Sequence, residues 1–292
     1  MSSEAIRPSS LDGIKRLAKQ LKGEYPLHAR ALDAAAQAAG FQNFSHARNA
    51  LGDASKHEPA PAALRTFLSV FWKERETGKT GRETWAVSLP VLWSELVTPA
   101  QLKMNRHLRR FRPRGPDHLE WEFMLHSQSE ARRYICAAAR TMQFMDATKL
   151  RPSKARSSVY PGRTSKNPIP GLDHMSVWYD SKLKRHLFVD EPYEAAVKGL
   201  AEEREAWASR HGFVVEKPEW AGMYAPDLGS RLYLVADGVK GVPLGPITAA
   251  LNSLPAPIVE EAWDGESAPF DWFISPGRQA ESEARKPRLS GR

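Results

Sequence analysis

With 292 residues, 41% of them apolar and nine tryptophans among them, the chain can hold two domains and a core that needs no staple, which excludes a disordered protein. Its one cysteine, Cys136, excludes an internal disulfide and a cysteine-built zinc site, and no apolar run approaches the roughly 18 residues of a membrane span. The net charge of +8 is uneven: residues 103–166 hold fifteen Lys or Arg against five Asp or Glu, and residues 167–292 hold fourteen against nineteen. A field so concentrated attracts phosphate or acidic partners. The opening MSSEAIRPSS lacks the basic-then-apolar order of a signal peptide, so a cytoplasmic location is expected.

In chain order, Leu11, Ile14, Leu17, Ala18 and Leu21 recur at helical spacing behind a Ser9 or Ser10 cap, with Lys15, Arg16, Lys19 and Lys22 on the other face. A second helix is expected over 28–39, ended by Gly40, and a third from Asn43 or Ser45. These make a three-helix module over 1–51. GDASKHEPAPAA, residues 52–63, has little to bury and predicts a linker.

RTFLSVFW and RETWAVSLP then flank KERETGKTG and predict a hairpin. Gly78, Lys79 and Thr80 within it are no phosphate loop, because Lys73 stands where the leading glycine belongs and no helix follows. A helix is expected after Pro90 and again from Thr98 and Pro99 to about residue 112. HLEWEFML alternates as a half-buried strand, and Ser127 with Glu130 predicts the capping box of the helix after it. Cys136, in the apolar run YICAAAR, reads as a small core residue of that helix.

The order is expected to recur. LSVFW ending at Trp72 is similar to MSVWY ending at Tyr179, and TWAVSLP ending at Pro90 to HLFVDEP ending at Pro192. A helix near 193–211 with an acidic exposed face, the strand SRLYLV and a helix over 243–254 follow. The expected fold is α+β: the three-helix module, then a pseudo-repeated ββαβα mixed-sheet domain over 64–274. Its repeats would cover 64–147 and 173–256, with a structureless basic loop over 147–172 between them and a disordered tail over 275–292.

LKMNRHLRRFRPRG, residues 102–115, carries seven Lys, Arg or His and no carboxylate. On a helix over 99–112, Met104, Leu108 and Phe111 form an apolar stripe and Lys103, Arg106 and Arg110 a cationic one, with Arg109 and Arg112 beside it. Together with Arg114, with Arg132, Arg133 and Arg140 of the next helix, and with Arg151, Lys154 and Arg156 of the loop, they are the expected phosphate contacts of a non-enzymatic nucleic-acid-binding protein, DNA favoured over RNA. An acidic protein surface suits the same face, which makes an interaction adaptor the first alternative. The second is a metal-dependent nuclease, with Asp117, Glu120 and Glu122 beside His118 and His126 supplying hard ligands for a divalent ion. A restriction-type core would place a lysine where Glu122 stands, and Asp173, Asp180 and Lys182 lie too close together for the same role. No cofactor or resident metal is expected.

Ala36, Gly40 and Phe41 suit a helix-turn-helix, but His46 and Asn49 fall where its second helix should be apolar, so a packing or docking module is expected instead. The same stretch, IKRLAKQLK followed by HARALDAAAQAAGFQNFSHARNAL, resembles a short helical module that heads many bacterial proteins, some with glyoxalase-like domains behind it. The match covers about residues 11–51 and rests on Ala31, Leu32, Gly40, Phe41 and Phe44. The whole chain also resembles an uncharacterised bacterial family from plasmids and integrative elements, which implies genetic context and no activity.

Overall fold

A computed structural model describes residues 11–23, 25, 28–44, 47, 64–164 and 166–285. The chain divides into two compact units, residues 1–62 and 63–292. In the first, α1 (Leu11–Gln20) and α2 (His28–Ala38) bury Ile14, Ala18, Ala31, Ala35 and Ala36 together with Ala47. Small alanines let the helices approach closely, and Gly40, at φ +90, ends α2 in a conformation that a Cβ would strain. Most of the expected third helix, with His46 and Asn49, and the whole expected linker lie outside the described residues.

The second unit is α+β, with two five-stranded sheets. Sheet A has the order β10-β2-β1-β4-β3, built from β1 (Leu64–Lys73), β2 (Thr80–Leu89), β3 (Phe111–Gly115), β4 (His118–Trp121) and β10 (Glu266–Ala268). The predicted hairpin is β1–β2, in register from Leu64 against Leu89 to Lys73 against Thr80. Two short helices, α3 (Trp93–Leu96) and α4 (Pro99–Leu102), lead to β3, and β4 lies parallel to β1. Next comes α5 (Gln128–Thr148), capped by Ser127 Oγ, which accepts from the Glu130 amide; the Glu130 carboxylate reaches back one residue further than a capping box requires, to the amide of His126.

Sheet B has the order β5-β6-β7-β9-β8, from β5 (Arg151–Pro152), β6 (Ser176–Asp180), β7 (Arg185–Asp190), β8 (Phe213–Glu216) and β9 (Tyr233–Asp237). Its helices are α6 (Glu194–Val197), α7 (Ala201–His211) and α8 (Leu244–Asn252). Alternation by two decides which core each side chain enters. Trp178, Leu187, Val189, Leu234 and Ala236 join the core around α5, whereas Val177, Phe188 and Val235 point the other way, onto Trp207 and Phe213. Both faces are covered, so the strands read as nearly continuous apolar runs.

With β5 and β10 left aside, the elements of each sheet follow the order ββαββα rather than ββαβα, because β3 and β8 escape a reading by alternation. Strand order does not repeat. In sheet A the first hairpin strand, β1, pairs with β4 in parallel; in sheet B the second, β7, pairs with β9 antiparallel. The likeness of the two hairpins is one of apolar pattern and does not extend to topology.

Three expectations are corrected. The helix from Thr98 stops at Leu102: the Asn105 side chain accepts from the amide of His107, and Pro113 and Pro116 exclude a helix and favour the extended chain of β3. The loop over 147–172 is folded, because Val159, Tyr160 and Ile169 are buried against sheet B. The tail is α9 (Pro276–Arg285) over most of its length, since Asp117 accepts from Ser275 Oγ and from the Gly277 amide at 2.8 Å, fixing the first turn. Residues 286–292 lie outside the described residues. Asp117→Ala should therefore free the start of α9 and cost about 1–2 kcal/mol, seen as earlier proteolysis after residue 265 and a lower melting temperature.

Candidate nucleic-acid interface

The cations expected to grip phosphate meet two fates. Lys103, Arg109, Lys154 and Arg156 are exposed, with no carboxylate among the described residues within ion-pair distance. Others are drawn into the fold. The β3–β4 pairing sets Arg112 opposite Glu120, and from this ribbon Arg110 bonds Glu122 at 2.8 Å, Arg112 also bonds Glu122, and Arg114 bonds Glu120 at 2.7 Å. Arg132 pairs with buried Glu83 at 2.9 Å, and Arg133 lies 3.9 Å from Glu260. Arg106 rests over the Tyr224 ring at 4.9 Å, and Arg151 donates to the Leu150 carbonyl at 3.1 Å. Arg140 is buried and serves backbone: its guanidinium donates to the carbonyls of Met223 (3.0 Å), Tyr224 (2.8 Å) and Ile258.

This pairing also removes the expected cation ligands. Glu120 and Glu122 face arginines, Asp117 caps α9, and His118 shares a 2.7 Å hydrogen bond with Ser69 Oγ. Burial first of all pushes His118 down to about 4, so the ring is neutral at pH 7. No group of three His, Cys, Asp or Glu suited to a metal occurs among the described residues.

A different cationic site forms at one end of sheet B, a cleft of about 730 Å³. Four separate pieces of chain build it. The turn Pro161–Arg163 brings Arg163, the β6–β7 turn brings Lys184 and Arg185, the last turn of α7 brings Arg210, and the turn after β9 brings Lys240. His186 and His211 stand between them. Arg163 and Lys184 both sit at φ +57, tight turns that aim the chain at the cleft.

The cleft's one carboxylate, Asp237, forms no ion pair with these side chains, although its charge acts on Lys240. Its Oδ1 accepts from the amides of Val239 and Lys240, at 2.9 and 2.8 Å, and these backbone bonds hold it below the usual carboxylate range. Arg185 donates to the Gly241 carbonyl at 3.2 Å, whereas Arg163, Lys184, Arg210 and Lys240 have no ion-pair partner among the described residues. Burial keeps His186 below its ordinary value, so the fixed positive charge comes from the five Lys and Arg. Sequence reading missed Lys184, Arg185, Arg210 and Lys240, because they lie in the acid-rich half. Three cations in SKLKRH, at a hairpin turn, were the available signal.

A smaller cleft of about 230 Å³ is lined by His107, Arg140, Tyr193 and Tyr224. Here buried Glu191 accepts through Oε1 from the amides of Met223 (2.6 Å) and Tyr224 (2.9 Å), fixing the same loop that Arg140 holds by its carbonyls. His174, at φ +51, stacks on Tyr224 at 3.6 Å.

No protein-family model, curated protein or solved structure matches the chain. No helix among the described residues is long and apolar enough to cross a membrane.

Proposed function

We propose that this protein binds nucleic acid through phosphate contacts and is not an enzyme. On the resemblance of its first helices and of the whole chain, it would be an accessory protein of a bacterial mobile element acting in the cytoplasm. One observation carries the reading: the sheet B cleft gathers five Lys or Arg around a single carboxylate that ion-pairs with none of them. Cations held this closely by separate turns repel one another, and an anionic ligand relieves that repulsion while releasing its own counterions. The cleft takes the leading place given to Lys103–Arg114, because four of its five cations have no carboxylate partner among the described residues whereas Arg110, Arg112 and Arg114 each have one; Lys103, Arg109, Lys154 and Arg156, exposed and also unpaired among them, add to the positive surface.

The test is fluorescence anisotropy with labelled DNA and RNA across a salt series. Lys184→Glu with Arg210→Glu and Lys240→Glu should weaken binding at least 100-fold at 0.1 M salt and flatten the salt slope by about 3, the number of phosphate contacts removed. Lys103→Glu with Arg109→Glu should cost less. Weak binding that the triple variant leaves unchanged would overturn the proposal and favour an acidic protein partner.

A further inference from the structure

Sheet A turns one face to α5, through Leu68, Val70 and Trp72, and the other to the segment after β10. On that second face Phe67 meets Phe273 at 5.2 Å, and Phe71 meets Phe270 at 4.9 Å and Trp272 at 6.0 Å. The segment leaves much apolar surface uncovered. Trp272 is 76% exposed, Phe123 53%, Phe270 51% and Met124 45%, around a groove of about 250 Å³ that Phe71, Arg114 and the carboxylates of Glu120, Glu122 and Asp271 also line. Exposed aromatic rings gathered in one place mark a binding surface.

The ion pairs beside this groove have a direction. Glu120 and Glu122 lie beneath, their side chains 5% and 18% exposed, while Arg110, Arg112 and Arg114 lie outside at 46%, 34% and 43%. The surface presented is therefore guanidinium and aromatic ring, and Arg110 extends over the Phe123 ring at 5.0 Å. Asp271, the third carboxylate of the groove, is held by Arg82 Nη1 at 2.7 Å, so each of the three faces an arginine. Only Nε of Arg114 is engaged, which leaves its terminal nitrogens for a phosphate.

We infer that this groove is a stacking platform for the unpaired bases of single-stranded nucleic acid, Phe123 and Trp272 receiving bases and Arg110 and Arg114 the adjoining phosphates. Every base has a flat π-face, so such a surface accepts a single strand with little regard to sequence, whereas a duplex keeps its bases stacked inside and has none to offer. The inference rests on the nucleic-acid reading and deepens it, by naming the form of nucleic acid that the protein prefers.

The experiment compares a single-stranded 15-mer, the same strand made abasic, and the duplex, by anisotropy on the full chain. Phe123→Ala with Trp272→Ala should weaken single-strand binding roughly 10- to 100-fold, as loss of one or two stacked bases does, and leave duplex binding unchanged. Wild-type protein should bind the abasic strand about as weakly as the double variant binds the normal one. Both replaced side chains are more than half exposed, and an unchanged melting temperature verifies that the variant folds. Equal binding of the single strand by variant and wild type would overturn the platform while the basic cleft stands. A wild-type protein that binds no nucleic acid would overturn both. Self-association abolished by Trp272→Ala, with single-strand affinity intact, would assign the face to a second copy of this chain and overturn the inference.

Discussion

Replacing Arg140 with methionine should lower the free energy of unfolding by roughly 4 kcal/mol, more than any other single change considered for this fold. Methionine keeps the apolar stem and its packing on α5, so the change isolates the guanidinium. That group sits almost fully buried and joins three carbonyls, of Met223, Tyr224 and Ile258, from two stretches of chain more than thirty positions apart. Without it three acceptors, one buried and two partly buried, lose their donor, and an unmet buried group costs about 1–3 kcal/mol. Urea unfolding of the purified variant measures the loss. A value below about 1 kcal/mol would mean that water from the adjoining cleft takes the guanidinium's place, and the site would then be wetter than its burial implies.

The second large effect depends on pH. Burial pushes the Glu191 carboxyl up to about 7, against an ordinary 4.5, even though the amides of Tyr224 and Met223 pull it the other way. Below pH 4.5 folded and unfolded chains both hold the proton, and the residue's contribution to stability is complete. Between pH 4.5 and about 7 the unfolded chain releases the proton while the folded one retains it, so stability falls by about 3 kcal/mol as pH rises. Glu191→Gln keeps an oxygen for both amides and does not titrate. The difference in unfolding free energy, variant minus wild type, should therefore move in the variant's favour by about 3 kcal/mol between pH 4 and pH 8. His118 titrates within the same range in the opposite sense, but it is common to both proteins and cancels. A flat difference would show that Glu191 ionises inside the fold as it does in water.

How much of this was legible depends on the distance over which each feature is decided. The β1–β2 hairpin, the Ser127 cap and α8 are written locally, in alternation, a hydroxyl before an apolar run, and helical spacing. The fate of LKMNRHLRRFRPRG is not. Its lack of acids is a property of fourteen consecutive residues, whereas Glu120 and Glu122 reach its arginines only because β3 folds back on β4. Met104, Leu108 and Phe111 also fit a helix, yet the helix ends at Leu102, and just beyond it the Asn105 side chain takes the amide of His107. The basic cleft was illegible for the converse reason: apart from Arg163, its charges come one or two at a time from an acid-rich half, so a sum along the chain dilutes them. The tail's order likewise comes from outside it, from Asp117, 158 positions before Ser275.

Sheet A opens the second unit and also closes it. Its edge strand β10 arrives after all of sheet B, and buried Arg82 meets Glu266 and Asp271 only then, 184 and 189 positions further along the chain. A nascent chain can complete sheet B while sheet A still lacks an edge, leaving the face that carries Phe67 and Phe71 bare. A message truncated before codon 266 would yield a chain with one finished sheet and one permanently open, carrying a buried arginine with no counter-charge. Such a product displays what proteases and chaperones recognise, so the position of β10 makes residues 266–271 a condition for completing sheet A.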